Sequence, residues 1–281
     1  IIALSEPSEK TSLRSSFSDL KRQNLRSQTP ALTWEAMKSA EEKLRPYIPP
    51  CALIEVTQAH VAALPGTLQE PFRLFLDDHR LVIVDAATDR ETGSYKECGA
   101  MYAMMCLKER APEAKIITAS AGNHGLGVAK AADTLGLSAT IVVPQTAPEV
   151  KKKRIGDILS RSGNVDSQLI EYGPNFDKAN EYALVLASEK GMAYVSPYND
   201  KDVWLGQSYN LMSVIEPLKE RGIEMSHVSH LVVPVGGGGF ASGVGSLAKI
   251  LNPEIAVIGV EPASHAKFSS DLPPMAHSEE I

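Results

Sequence analysis

The run Leu231-Val232-Val233-Pro234-Val235-Gly236-Gly237-Gly238-Gly239, with the apolar stretch 241–251 and the β-branched stretch 256–260 behind it, decides the fold class. Residues 231–235 form a short strand pattern, the four glycines a turn, and 241–251 a helix that leads to another strand. Strands joined through a helix must run parallel, and a parallel sheet needs helices on both faces. The same alternation extends upstream. Residues 116–118 are expected as a strand, 128–135 as a helix stopped by Gly136, 139–143 as a strand, and 169–170, 176–190, 193–195 and 203–218 continue the series. Thr146-x-x-Glu149 with Pro148 reads as a capping box that opens a helix reaching about residue 161, with Lys151-Lys152-Lys153 on its solvated face. The expected architecture is α/β, with open, mostly parallel sheets covered by helices.

Ahead of the alternation, Thr33 caps an amphipathic helix carrying Trp34, Ala36, Met37, Ala40 and Leu44, stopped by Pro46. A hairpin is expected from 73–76 and 81–84 around Asp77-Asp78-His79-Arg80. Residues 1–30, rich in Ser, Lys and Arg, read as a mobile arm. The chain has 281 residues with 28 Lys+Arg against 34 Asp+Glu, a net charge of −6 that offers no general attraction to nucleic acid. No apolar run reaches the roughly 18 residues of a membrane span. Cys51, Cys98 and Cys106 form neither a disulfide framework nor a zinc spacing, which points to a reducing compartment, cytoplasmic or organellar. A small-molecule partner is the expectation.

Three segments lie where an open α/β sheet puts its ligands, at the carboxyl ends of strands. Gly236 to Gly239 open a helix whose unpaired N–H groups and dipole favour a phosphate. The loose match Gly236-x-Gly238-x-x-Ala241, with Glu261 after the next strand, also permits a dinucleotide such as NAD. Thr118-Ala119-Ser120-Ala121-Gly122-Asn123-His124-Gly125 places Ser120 and Asn123 at a helix start suited to a carboxylate. Thr92-Gly93-Ser94-Tyr95-Lys96 puts a lysine ahead of the apolar helix of Ala100, Met101, Met104 and Met105, where a desolvated amine can act as a nucleophile. The methionines are expected in the core.

In this order the segments resemble the fold-type II pyridoxal-phosphate (PLP) enzymes, in particular the threonine/serine dehydratase and serine racemase group. Val142-Val143-Pro144, Pro197-Tyr198-Asn199-Asp200, Gly206-Gln207 and Val260-Glu261-Pro262 look like further landmarks of that group. The resemblance implies two interleaved lobes: a large one from 31–114 plus 194–281 and a small one from 115–193, with pyridoxal 5'-phosphate between them. It implies that Lys96 forms a Schiff base with PLP, that Tyr95 lies against the ring, and that Asn123 bonds the ring hydroxyl. Gly236, Gly237, Gly238 and Gly239 would hold the phosphate, and Ser120, Ala121, Asn123 and His124 the substrate carboxylate.

The implied activity is β-elimination from a hydroxy amino acid such as serine or threonine, giving a 2-keto acid and ammonia, in a homodimer. A β-replacement synthase and a PLP-binding protein without catalysis are the alternatives. Three departures bear on this. The racemase branch carries a serine as its second base where this chain has Ala121, which disfavours racemisation. The metal-binding members pair the acid of Val-Glu-Pro with a carboxylate six residues on, where this chain has Glu261 and Lys267, so no metal is expected. The chain stops at Ile281, before the family's last helices, so a missing carboxyl-terminal part is expected.

Overall fold

The computed structural model describes residues 32–55, 82–87, 89–120 and 122–262, with the single positions 59 and 62. Among them the strands fall into three sheets. β1 (Ala52–Glu55) pairs antiparallel with β2 (Val82–Asp85). β3 (Ile116–Ala119), β4 (Ala139–Val143), β5 (Gln168–Glu171) and β6 (Ala193–Tyr194) make a parallel sheet in the order β5-β4-β3-β6. β7 (His230–Pro234) and β8 (Ala256–Val260) pair in parallel. The helices are α1 (Trp34–Leu44), α2 (Lys96–Arg110), α3 (Asn123–Leu135), α4 (Glu149–Arg161), α5 (Phe176–Lys190), α6 (Lys201–Met212), α7 (Ile215–Glu220) and α8 (Gly239–Leu251). None of these helices is long and apolar enough to cross a membrane.

The central strands β3 and β4 are buried on both faces, as their largely apolar runs require. Ile117, Ala119 and Val142 pack with Ala179, Ala183 and Leu186 of α5. Ile116, Ile141 and Val143 join the main core, where Leu126 and Ala129 of α3 meet Ile155 and Ile158 of α4. Met101 and Met104 are fully buried there, in keeping with their expected core role. Left-handed glycines close α3 at Gly136 and α5 at Gly191, with φ of 66° and 61°.

A seam of glycines sets how α2, α6 and α8 pack. A Cβ on Gly206 of α6 would lie 2.5 Å from the Cys98 carbonyl oxygen of α2. One on Gly243 of α8 would lie 2.1 Å from the Trp204 carbonyl oxygen of α6. The backbones of α2 and α8 therefore approach α6 more closely than any side chain permits, and both helices begin at the same end of the molecule as the candidate site.

Four expectations are corrected, and the hairpin of 73–76 with 81–84 lies largely outside the described residues. α3 begins at Asn123, five residues before the expected start, because Gly125 and Gly127 sit inside the helix where it is pressed against Ile155 and Ala100. The capping box does not form: Pro148 is the N-cap of α4, and the Thr146 hydroxyl donates to the Pro174 carbonyl at 3.1 Å. Lys152 is buried between Glu149 and Glu171 instead of lying on a solvated face. The expected helix 203–218 is two helices, because Pro217 lacks an N–H and its ring clashes with the carbonyl four residues back, so it fits only in a first turn. The strand at 82–85 finds its described partner in β1; residues 73–81 lie outside the described residues, as do the arm 1–30, Ala121 and Lys267.

Candidate functional site

The site follows from strand order. The chain adds β4 and then β5 on one side of β3, and then returns to place β6 on the other. The crevice between the carboxyl ends of β3 and β6 is a topological switch point, where open α/β sheets bind ligands. The Ser120 loop leaves β3 there and residues 195–199 leave β6.

Segment 195–199 joins all three chemical motifs. The Val195 carbonyl accepts from the Thr118 hydroxyl at 2.7 Å and stands 3.3 Å from His124 Nε2. The Pro197 carbonyl accepts from Lys96 Nζ at 2.9 Å. Tyr198 lies on the glycine loop: a Cβ on Gly237 would fall 2.3 Å from its ring, and one on Gly239 2.8 Å from its carbonyl oxygen. Ser196 Oγ accepts from the Asn199 N–H at 2.9 Å and Trp204 Nε1 donates to the Tyr198 carbonyl at 2.5 Å, which holds the turn. The sequence marks Pro197 and Tyr198 only as landmarks; that their backbone gathers the site depends on the strand order.

Lys96 is the first residue of α2, and Tyr95, its N-cap, carries helical backbone angles. The Tyr95 ring lies on that of Phe240, with centroids 4.4 Å apart, so the lysine loop and the glycine loop share a wall. Burial pushes the Lys96 ammonium below the usual lysine range, and the positive end of α2 acts in the same direction. The loop ahead of it is fixed twice over. The buried Glu97 carboxylate accepts from the Thr92 hydroxyl at 2.7 Å and from its N–H at 3.3 Å. Glu91 binds Lys130 at 2.6 Å and Arg161 at 2.7 Å, while its carbonyl accepts from Arg154 at 2.9 Å, which ties the loop to α3 and α4.

His124 is buried; desolvation first, then the charge of Lys96, pushes its imidazole down to about 3, so the ring is neutral near pH 7. Its Nε2 is committed to Val195. What the loop presents to a ligand is therefore Ser120, whose Oγ accepts from the Gly122 N–H at 3.1 Å, and Asn123, the exposed first residue of α3. Asn123 Oδ1 accepts from Lys151 Nζ at 2.6 Å. On the opposite side, Gly238 turns with φ of 85° into α8, and a Cβ on Gly236 would meet nothing within 4 Å, so the cradle is open there. No group of three His, Cys, Asp or Glu side chains suited to a metal occurs among the described residues. An apolar cleft of about 710 Å³ between β2 and β7, lined among others by Val82, Val84, Val233 and Val244, borders the glycine loop at Pro234 and Phe240.

An amine of lowered basicity and an open, glycine-lined helix start are joined by segment 195–199 at a switch-point crevice, an arrangement compatible with a phosphorylated carbonyl cofactor. The model of the pyridoxal-phosphate dependent enzyme family matches residues 79–280, and the chain belongs to that family. This match sets the dinucleotide alternative aside. Over 170 residues the chain is 38% identical to the catabolic L-threonine dehydratase of Staphylococcus aureus (strain USA300), covering 60% of this chain and 45% of that one. It is similar to the processed form of threonine deaminase isoform 2 from Solanum lycopersicum, at 33% identity and a TM-score of 0.54, over 62% and 47% of the two chains. A PLP-dependent aspartate racemase superposes with a TM-score of 0.67 at 27% identity, over 82% and 63%. The chain spans less than half the length of the curated dehydratases it matches. The residues present fit the cofactor: among the described residues a half-buried lysine meets no carboxylate in its hydrogen bonding, and the glycine loop leaves room that a side chain would fill.

Proposed function

We propose that the protein catalyses PLP-dependent β-elimination from a hydroxy amino acid, serine or threonine first, releasing a 2-keto acid and ammonia. The observation that carries this is Lys96 Nζ, desolvated and held by a neutral carbonyl at the crevice. Lys96 would anchor the cofactor, Tyr95 would flank its ring, Asn123 would meet the ring hydroxyl, and Gly236, Gly237, Gly238 and Gly239 would take the phosphate. When bound, the cofactor supplies the electron sink for the α-carbon. Lys96 Nζ, once free, would take the α-proton, a task that its lowered basicity favours. The Ser120–His124 loop, Ala121 included, would hold the substrate carboxylate through Ser120, Asn123 and backbone N–H groups, with the imidazole of His124 stiffening the loop from beneath.

The proposed lobes, 31–114 with 194–281 and 115–193, put β3, β4 and β5 in one body and the other two sheets in its neighbour, with the boundary passing through β6 between Ala193 and Tyr194. A closing movement of the small lobe would then shut water out of the crevice. A homodimer in the cytoplasm is the working expectation for assembly and location. Borohydride reduction of the PLP-loaded protein should fix the cofactor on Lys96, read by peptide mass spectrometry, and L-serine or L-threonine alone should yield keto acid and ammonia. Turnover only with an added thiol nucleophile would assign β-replacement, and a loaded protein inert toward every amino acid would assign a non-catalytic binder.

A further inference from the structure

We propose that Lys151 is a positioning residue: its contact with Asn123 Oδ1 turns the asparagine amide so that Nδ2–H faces the cofactor's ring oxygen. The inference rests on the assignment of Asn123 to that oxygen.

An ammonium has three donors and no acceptor, so Lys151 can bond only the oxygen end of the amide. At 2.6 Å from Oδ1 it fixes the plane of the amide and sends the NH2 end the other way. Without it, an exposed asparagine has two amide orientations of similar energy, one of which presents an acceptor to an electron-rich ring oxygen. The lysine removes that orientation and polarises the remaining donor.

Three features of the chain mark the contact as more than a chance surface bond. Lys151 is the third residue of α4, where a cation opposes the helix dipole, so helix stability does not account for it. Its neighbours find acids, Lys152 with Glu149 and Glu171 and Lys153 with Asp157, whereas among the described residues Lys151 bonds a neutral amide. Asn123 also forgoes the ordinary use of an asparagine at a helix start. Asn175 caps α5 by accepting from the Lys178 N–H, but the N-cap of α3 is Gly122, with no side-chain cap, which leaves the Asn123 amide for Lys151.

The test is a double-mutant cycle on the protein with Lys151→Met, Lys151→Arg, Asn123→Ala and the Lys151→Met/Asn123→Ala pair. The readouts are the PLP dissociation constant, from the visible band, and the pH midpoint of that band. Loss of one oriented hydrogen bond should raise the dissociation constant of Lys151→Met about 3–10-fold. Lys151→Arg, also a pure donor, should stay near the parent value, melting temperatures should be unchanged, and Lys151→Met should add nothing once Asn123 is alanine. An equal effect of Lys151→Met with and without Asn123 would show the charge acting alone and overturn the proposal, as would no effect at all. If Asn123→Ala leaves binding and pH midpoint untouched, the assignment of Asn123 falls and this inference with it. A parent protein that takes up no PLP refutes the proposed function itself.

Discussion

Gly206→Ala tests whether the helix seam fixes the site. The new Cβ would stand 2.5 Å from the Cys98 carbonyl oxygen, 2.8 Å from Tyr102 Cβ and 2.9 Å from Gly99 Cα. Ordinary contact begins at 3.4 Å, so α2 and α6 must separate by about 1 Å, and two of the three atoms are backbone that cannot rotate away. Overpacking of this kind costs about 1–3 kcal/mol, and the upper part of that range applies. Alanine returns about 1 kcal/mol of helix propensity in the interior of α6. The net loss is about 1–2 kcal/mol, a fall in melting temperature of about 2–8 °C for a chain of this size.

Gly156→Ala in α4 is the matched control, because its Cβ would meet nothing within 4 Å and only the propensity gain remains. It should raise the melting temperature by about 2–4 °C. The first variant should also lose borohydride-fixed cofactor, since Lys96 begins the displaced helix and its Nζ sits 2.9 Å from Pro197. Calorimetric melts of both variants and reduction labelling of the first suffice. If Gly206→Ala melts at or above the parent temperature, the close approach of α2 and α6 does not constrain the fold.

Two further outcomes are expected. Gly236→Ala should leave the melting temperature of the cofactor-free protein unchanged, as its Cβ meets nothing within 4 Å, yet weaken PLP binding about tenfold or more by filling the phosphate cradle; unchanged affinity in a titration would remove Gly236 from the site. His124 titrates at about 3 in the folded chain against an ordinary value of 6.5, so between these the unfolded chain holds the extra proton: the contribution is complete above pH 6.5 and is lost as pH falls toward 3. His124→Asn should flatten the fall in melting temperature over that window, and parallel profiles would refute the buried, neutral assignment.

The strands 139–143 and 256–260 and the helix 176–190 are legible to the residue, because period and stop signals agree with the tertiary structure. The start of α3 is not. Gly125 and Gly127 carry a turn signal locally, and only the presence of Ile155 at 3.0 Å and Ala100 at 3.1 Å from their missing Cβ atoms explains why they are helical. Thr146 has the spacing of a cap, but a carbonyl 28 residues away takes its hydroxyl. For the site, the three motifs could be named from sequence because each depends on a local strand-to-helix turn. The segment that joins them could not, since β6 lies beside β3 only through a return across the sheet.

The electrostatics of the crevice follow from where the neighbouring acids are spent. A carboxylate beside Lys96 would stabilise the ammonium and hold the proton that a nucleophilic amine must lack. Glu97, next in sequence, is turned to Thr92; Asp200 caps α6 by accepting from the Asp202 N–H at 2.8 Å; Asp202 pairs with Arg110 at 2.9 Å; and Glu91 is held by Lys130 and Arg161. Each of these acids does structural work at a helix start or a loop, and among the described residues Lys96 Nζ meets the Pro197 carbonyl and the face of the Tyr95 ring. A carbonyl accepts from an amine as well as from an ammonium, so it fixes Nζ in either state and favours the proton less than a carboxylate would. Position and basicity are thereby set by different means: the packing of α2 and segment 195–199 places the nitrogen, and burial, with the positive end of α2 beside it, lowers its affinity for a proton.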